Sequence, residues 1–386
     1  MLINNVKIIN NSYSSAQIKI DGSKIIEVNN SNFDAKKNNE DLSFDFDEAI
    51  AFPGLINSHD HLEFNLFPKL GDRIYNDYVD WGNDINIKNK EQINIIKQVP
   101  KDLSLRWGIY KNLICGVTTI VNHGKKIVTY FENLPDVFTE YHFLHSIRIE
   151  KHWKLKLLLK SPKWPFLIHI GEGKNQESFD EINKLIKYNF LNKELIGIHA
   201  ISMNAKQSKK FKAIIWCPDS NLFLYNKTAN ISEIKKYTSI LFGTDSTLSA
   251  NWNIWNHLRL ARQFDYLNDK ELYYSLTENA SYIWDFKLKG KIEKNMIADI
   301  VICKKKFTDI WESFYNINPE DILLIVKNGR CIFIDSVLTT QQQNFDKNKF
   351  DIIYINSIKK YVIKGIHELI KSIHKIHPEY QFPISI

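Results

Sequence analysis

From about residue 54 to residue 287 the chain alternates between two kinds of segment, and this alternation constrains the fold more than any other feature. Short apolar runs ("TTIVNHG", "FLIHIGEG", "LIGIHA", "AIIWCP", "SILFGTD") are separated by polar, helix-like stretches such as "SFDEINKLIKYN" and "ISEIKKYT". Strand–helix alternation predicts a parallel sheet covered by helices. The runs are continuously apolar, as expected for strands buried on both faces.

Several of these runs end in a residue able to bind a metal. "LINSHDH" ends in His59 and His61, two apart and therefore on one side of a strand, with Asp60 pointing the other way. "PFLIHIGE" ends in His169 and, three residues on, Glu172; "LIGIHA" carries His199; "SILFGTD" ends in Asp245. In a parallel barrel the C-terminal strand ends converge on one rim. A lone histidine in such a place is usually a satisfied core residue, and Asp245 after Gly-Thr could simply cap the next helix. The repetition within one alternating segment argues for a shared site. Three imidazoles and a carboxylate suit one divalent ion, Zn2+ first and Fe2+ second, with a position left for water. Such an ion brings the pKa of its water to about 7 and makes hydroxide available. Asp245 can then hold and move a proton, Glu172 can carry one to a leaving group, and His199 can bond the attacking oxygen.

The bulk numbers fit this reading. The chain has 386 residues and 44% hydrophobic content, enough for a sizeable core. Its net charge of +7 is spread along the whole length, which argues against a nucleic-acid-binding face. Cys115, Cys217, Cys303 and Cys331 form no CxxC pair, so a cysteine zinc site or disulfide framework is not expected and a cytoplasmic setting is. There is no signal pattern at the start and no uninterrupted apolar stretch of membrane-spanning length.

Both ends are strand-rich. "IKIDGSKIIEV" reads as a hairpin around Asp-Gly, "NNSNFDAKKNNEDLS" as a polar loop, and "GKIEKNMIADIVICKKK" and "DILLIVKNGRCIFI" as further strands. Residues 1–53 and 288–345 are expected to form one composite β-sandwich, 54–287 the barrel, and 346–386 a helical extension. In that extension Ile355, Ile358, Val362, Ile366, Leu369, Ile373 and Ile376 recur at helical spacing. The expected helix docks on the protein's own surface; a homodimer seam is the alternative.

"PGLINSHDH", "GVTTIVNHG", "HIGE", "HA", "WCPDSN" and "FGTDSTLS" occur in an order that resembles the amidohydrolase superfamily, and within it the deaminase and chlorohydrolase branch that includes guanine and cytosine deaminases. The resemblance covers roughly residues 2–335. It implies a (β/α)8 TIM-like barrel plus the sandwich, with His59, His61, His169 and Asp245 on one metal ion. It also implies proton carriage by Glu172 and Asp245, and substrate contact by His199. The implied reaction is hydrolysis of a non-peptide C–N bond, first of all deamination of an amino-substituted heterocycle or amidine-like small molecule by metal-bound hydroxide. Amide hydrolysis, or loss of another leaving group from a heteroaromatic ring, is the alternative, and a non-catalytic barrel subunit the rival. One departure stands out: only "YHFLHSIRI" reads as a strand between "TTIVNHG" and "FLIHIGE", where the branch has two, so the strand 3–5 region is expected to be shortened. His123, Asn221, Glu63 and Arg148 are further candidates for substrate contact, each with an ordinary packing or surface role as its alternative.

Overall fold

The structure is a computed structural model that describes residues 1–30, 42–124, 133–342 and 345–386. Most of the polar loop expected around 29–43 therefore lies outside the described residues.

Eight short parallel strands form the centre: β1 (Leu55–Asp60), β2 (Val117–Asn122), β3 (Asp136–Phe138), β4 (His142–Ser146), β5 (Phe166–Ile170), β6 (Leu195–His199), β7 (Ala213–Trp216) and β8 (Ser239–Phe242). They pair in chain order as two arcs, β1 to β3 and β4 to β8. The Thr244 and Asp245 N–H groups donate to the His59 carbonyl at 3.0 and 3.1 Å, which returns the end of β8 to β1. Every residue of β1, β2, β5, β6 and β7 is buried, as continuous apolar runs require. Ile56, Val121, Leu167, Ile196, Ile215 and Leu241, one each from β1, β2, β5, β6, β7 and β8, share an enclosed core. Alternate neighbours such as Leu55, Ile120, Phe166 and Ile214 pack outward with the helices.

All eight strands are present among the described residues, and the expected shortening before "FLIHIGE" takes the form of a very short third strand, not a missing one. The unrecognised strand, β3, has three residues, too few to show any periodicity. "YHFLHSIRI" supplies β4, and "KHWKLKLLLK" contributes the short helix Trp153–Leu159 that leads to β5.

The chain ends join in one nine-stranded mixed sheet. Ser43–Pro53 runs parallel to Leu2–Ile8 and antiparallel to Ile300–Lys304, so the N- and C-terminal segments interlock. The period-2 alternation of side chains gives this sheet two buried faces. Ile300 and Ile302 enter its own core with Ile3, Ile18, Leu324 and Ile334, while Val301 and Cys303 pack with Ile50 and Phe52 into the core shared with the barrel.

The tail departs from the helix expected over Ile355–Ile376. Phe350–Ile355 and Ile358–Ile363 form a hairpin that extends the nine-stranded sheet, and only Ile366–His374 is helical. Asn356 and Ser357 both have positive φ (47° and 65°), the conformation of a two-residue hairpin turn. The β-branched run on either side suits strands, and the helical spacing across the turn is a coincidence. The helix buries Ile366, Leu369, Ile370 and Ile373 against the barrel side of the same chain. Among the described residues, no helix is long and apolar enough to cross a membrane.

Candidate metal centre

His59, His61, His169 and Asp245 meet at the C-terminal rim of the barrel. His61 Nε2 lies 3.3 Å from His169 Nε2, and Asp245 Oδ1 lies 3.7 Å from both His59 Nε2 and His61 Nε2. Ligand atoms held tetrahedrally at metal-bond length are about 3.3–3.6 Å apart, so these spacings suit a single ion. Two imidazole nitrogens at 3.3 Å repel unless a proton or a cation lies between them. His59 is fully buried and neither of its ring nitrogens has a hydrogen-bond partner, the signature of a nitrogen directed at an ion. The donor set therefore fits a divalent metal.

His169 and Asp245 are each fixed from behind. His169 Nδ1 is 3.0 Å from the His145 carbonyl, which makes Nδ1 the protonated nitrogen and leaves the Nε2 lone pair for the focus. Ser220 and Ser249 hydroxyls donate to Asp245 Oδ2 at 2.7 and 2.8 Å, and the Ser246 N–H donates to Oδ1 at 2.9 Å. His199 and Asp245 have φ of 67° and 57°, uncommon for non-glycine residues, and such local strain clusters at functional sites. On β1 the register shifts between Asn57 and Asp60. The irregularity lets His59 and His61 face inward although Ile56 also does. Asp60 points the opposite way, as expected, and accepts from Lys111, Asn112 and Asn65 at 2.7–2.8 Å.

Burial, reinforced by neighbouring histidines, drives His59 and His169 well below the ordinary imidazole pKa, so both are neutral and able to ligate at pH 7. Burial works to raise Asp245, but His61, His199 and the two serine hydroxyls outweigh it and hold the carboxyl below its usual range. Glu172 goes the other way. Burial raises its pKa, aided by Asp245, against the pull of His199 and Tyr225.

Glu172 and His199 sit beside this cluster. His199 Nδ1 bonds Asn221 Oδ1 at 2.8 Å, which turns Nε2 toward Glu172 Oε1, 3.7 Å away. Asn221 is thus an orienter of His199, fully buried and itself donating to Thr228 Oγ1 at 3.1 Å. Glu63 and Arg148 are not brought to the cavity. Glu63 pairs with Lys101. Arg148 binds Asp77 at 2.9 Å and Glu181 at 3.0 Å, clamping the start of helix Tyr78–Lys88 to helix Gln176–Tyr188. Long-range ion pairs of this kind leave no mark in local sequence. His123 lies behind His169, its ring stacked on it at 4.3 Å between centroids.

The three candidate ligands other than His59 line a cavity of about 220 Å3 with Glu172 and His199. Tyr78, Trp81, Ile85 and Asn86 from one helix form a wall, and His145 from the end of β4 another. His145 carries the same local signal as His59, His61, His169 and His199, a histidine ending an apolar strand, although the sequence reading did not single it out. A larger cleft of about 480 Å3 near Arg330, Cys331 and Phe350 contains none of the clustered metal-competent groups found among the described residues, so size alone does not locate the site.

No family model matches the sequence, and no curated protein matches it. Solved structures do. A zinc-bound adenosine deaminase from Xanthomonas campestris superposes with a TM-score of 0.69 at 12% identity, covering 98% of each chain. Atrazine chlorohydrolase TrzN from Arthrobacter aurescens, complexed with zinc, gives 0.59 at 16% identity, over 86% of this chain and 94% of that one. Aminofutalosine deaminase from Helicobacter pylori, in complex with methylthio-coformycin, gives 0.61 at 15% identity, over 86% and 99%. At these identities the likeness establishes architecture: the chain has the barrel-plus-sheet fold of the amidohydrolase-type deaminases and chlorohydrolases.

Proposed function

We propose that this protein is a mononuclear metal-dependent hydrolase of non-peptide C–N bonds, most directly a deaminase of an amino-substituted heterocycle or amidine-like small molecule. The observation that carries the reading is the convergence of His59, His61, His169 and Asp245, with His61–His169 at 3.3 Å and Asp245 at 3.7 Å from both His59 and His61, beside a cavity that also holds Glu172 and His199. Zinc, bound by these four residues, would acidify a coordinated water and polarise the group under attack.

The chain's own groups supply the rest. Asp245 is kept anionic and takes the first proton from the attacking water. His199, oriented by Asn221, faces the reacting centre through Nε2 and bonds the oxygen that is added. Glu172 is buried and biased toward its protonated form, so it can protonate a ring nitrogen and then the departing amine. Water's oxygen stays on carbon, the C–N bond breaks and ammonia leaves. Helix Tyr78–Lys88 covers the cavity and limits water around the reaction.

In this reading the barrel, 54–287, is the catalytic unit, supported by 1–53 and 288–345. The tail after 346 adds strands to that support before its helix. Four free cysteines agree with a cytoplasmic location. The test is an ammonia-release screen of aminopurines, aminopyrimidines, amidines and cyclic amides with zinc-loaded protein. Release from at least one ring amine, abolished by Glu172→Gln with zinc retained, is the expected result. Chloride release from a chlorotriazine with no ammonia from any amine would move the assignment to the chlorohydrolase alternative. A protein that takes up no metal would end it.

A further inference from the structure

Among the described residues, His59 and His123 are the two imidazoles whose ring nitrogens are both buried without a hydrogen bond of normal geometry; the Leu144 backbone lies beside the His123 ring and can engage one of its nitrogens, which leaves the other to be accounted for. A neutral imidazole has one N–H to donate and one lone pair to offer, and leaving either unused in the interior is costly. His59 is accounted for by the metal centre. His123 is 1% exposed, and nothing in the reaction above uses it.

Its position is informative. His123 follows the last residue of β2, on the same rim as the other ligands. Its backbone N–H donates to the Asp60 carbonyl at 2.8 Å, which fixes it beside the segment carrying His59 and His61. Its ring centroid is 4.3 Å from that of His169, 5.3 Å from His59 and 5.5 Å from His61. The proposed ligand rings are 4.8–5.2 Å from one another, so His123 belongs to the same tight cluster of rings. One ligand atom each from His59, His123 and His169 lies within 4.8 Å of the other two. Packing alone does not account for the residue. It meets Phe143 edge-on at 4.7 Å and stacks on His169, contacts that phenylalanine would make without burying an idle nitrogen.

We infer that His123 is a further ligand of the metal centre, closing it on the side away from the cavity with an imidazole face of His59, His123 and His169. This rests on the proposed metal site and adds to it a fourth imidazole. A centre so rich in nitrogen selects zinc, iron, cobalt or nickel over magnesium or manganese.

The test uses the full chain loaded with cobalt(II) and crystallised, with anomalous data at the cobalt edge. A His123 ring nitrogen at about 2.1 Å from the cobalt peak is expected. A peak held by His59, His61, His169 and Asp245 with both His123 nitrogens beyond about 3.5 Å overturns the inference and leaves the proposed centre intact. A protein that binds no cobalt overturns both. In solution, His123→Phe keeps the ring and removes the nitrogens. It should weaken zinc binding at least about tenfold and change the cobalt visible spectrum; an unchanged affinity and spectrum count against His123 as a ligand. If this variant does not fold, the wild-type crystal decides alone.

Discussion

The Tyr225 hydroxyl donates a 2.8 Å hydrogen bond to Glu172 Oε1, deep beneath the cavity. Tyr225 is 1% exposed, so the contact competes with little water. It holds the carboxyl in one orientation and leaves the second oxygen free to carry a proton. A hydrogen bond to a charged group contributes about 1.5–3 kcal/mol, so Tyr225→Phe should cost about 10- to 100-fold in kcat with KM little changed. Glu172→Gln should cost about 10²-fold or more. Steady-state kinetics on the amine identified by the ammonia screen measures both. Equal losses in KM and kcat for Tyr225→Phe would mean that Tyr225 shapes the pocket and does not position Glu172.

How far the site was legible depended on where its information lies. His59, His61, His169, His199 and Asp245 interrupt apolar strand ends, a local signal that any reader of the chain can see. The three residues of β3 carry no period, so that strand was invisible. The hairpin at 350–363 was misread because Ile355, Ile358 and Val362 fall at helical spacing as well as in two strands; the Asn356-Ser357 turn was the discriminating feature. The partners of Arg148 and Glu63 are distant in sequence, and only the folded chain shows that those charges are already used.

Lys111 and Asp60 form a second buried pair, Nζ to Oδ2 at 2.8 Å, with exposures of 1% and 0%. The pair anchors β1 from behind, between the two histidines. Removing one partner strands a buried charge, which typically costs 3–5 kcal/mol. Asp60 keeps donors from Asn65 and Asn112, which places Lys111→Met near the lower end, about 3 kcal/mol. Urea denaturation of the metal-free protein measures this. The double variant Lys111→Met/Asp60→Asn should recover part of the loss, because no uncompensated charge remains. A double variant less stable than Lys111→Met would contradict that account.

Glu181 accepts from the Gly171 N–H at 2.7 Å and from Arg148 Nε at 3.0 Å. Burial nevertheless pushes its pKa up to about 7, because desolvation outweighs the guanidinium. A carboxyl raised in the folded state binds a proton that the unfolded chain has already released. Its stabilising contribution is full below the ordinary glutamate pKa and is lost as pH rises through about 7. Wild-type stability should therefore fall between pH 5 and 8 relative to Glu181→Gln, by roughly 3 kcal/mol at most. Denaturation midpoints across that range measure it. Parallel pH profiles for the two proteins would show that Glu181 is ionised throughout.

Gly243, in "FGTD", is glycine because the chain leaving β8 passes directly against His59. A Cβ there would lie 2.7 Å from His59 Cβ, 2.9 Å from Ile215 Cγ2 and 3.1 Å from Cys217 Sγ. None of these is the free end of a flexible side chain, so strand or ligand must shift. Overpacking of this kind costs about 1–3 kcal/mol, and here part of the strain falls on His59. Gly243→Ala should therefore lower both folding stability and zinc affinity. Gly82, inside helix Tyr78–Lys88, has no atom within 4 Å of its added Cβ. Gly82→Ala should stabilise by about 0.5–1 kcal/mol through helix propensity and leave zinc affinity alone. Chemical denaturation and zinc competition on the two variants separate the effects. If Gly243→Ala loses stability but binds zinc as tightly as the wild type, the strain is absorbed by Ile215 and Cys217 and does not reach His59.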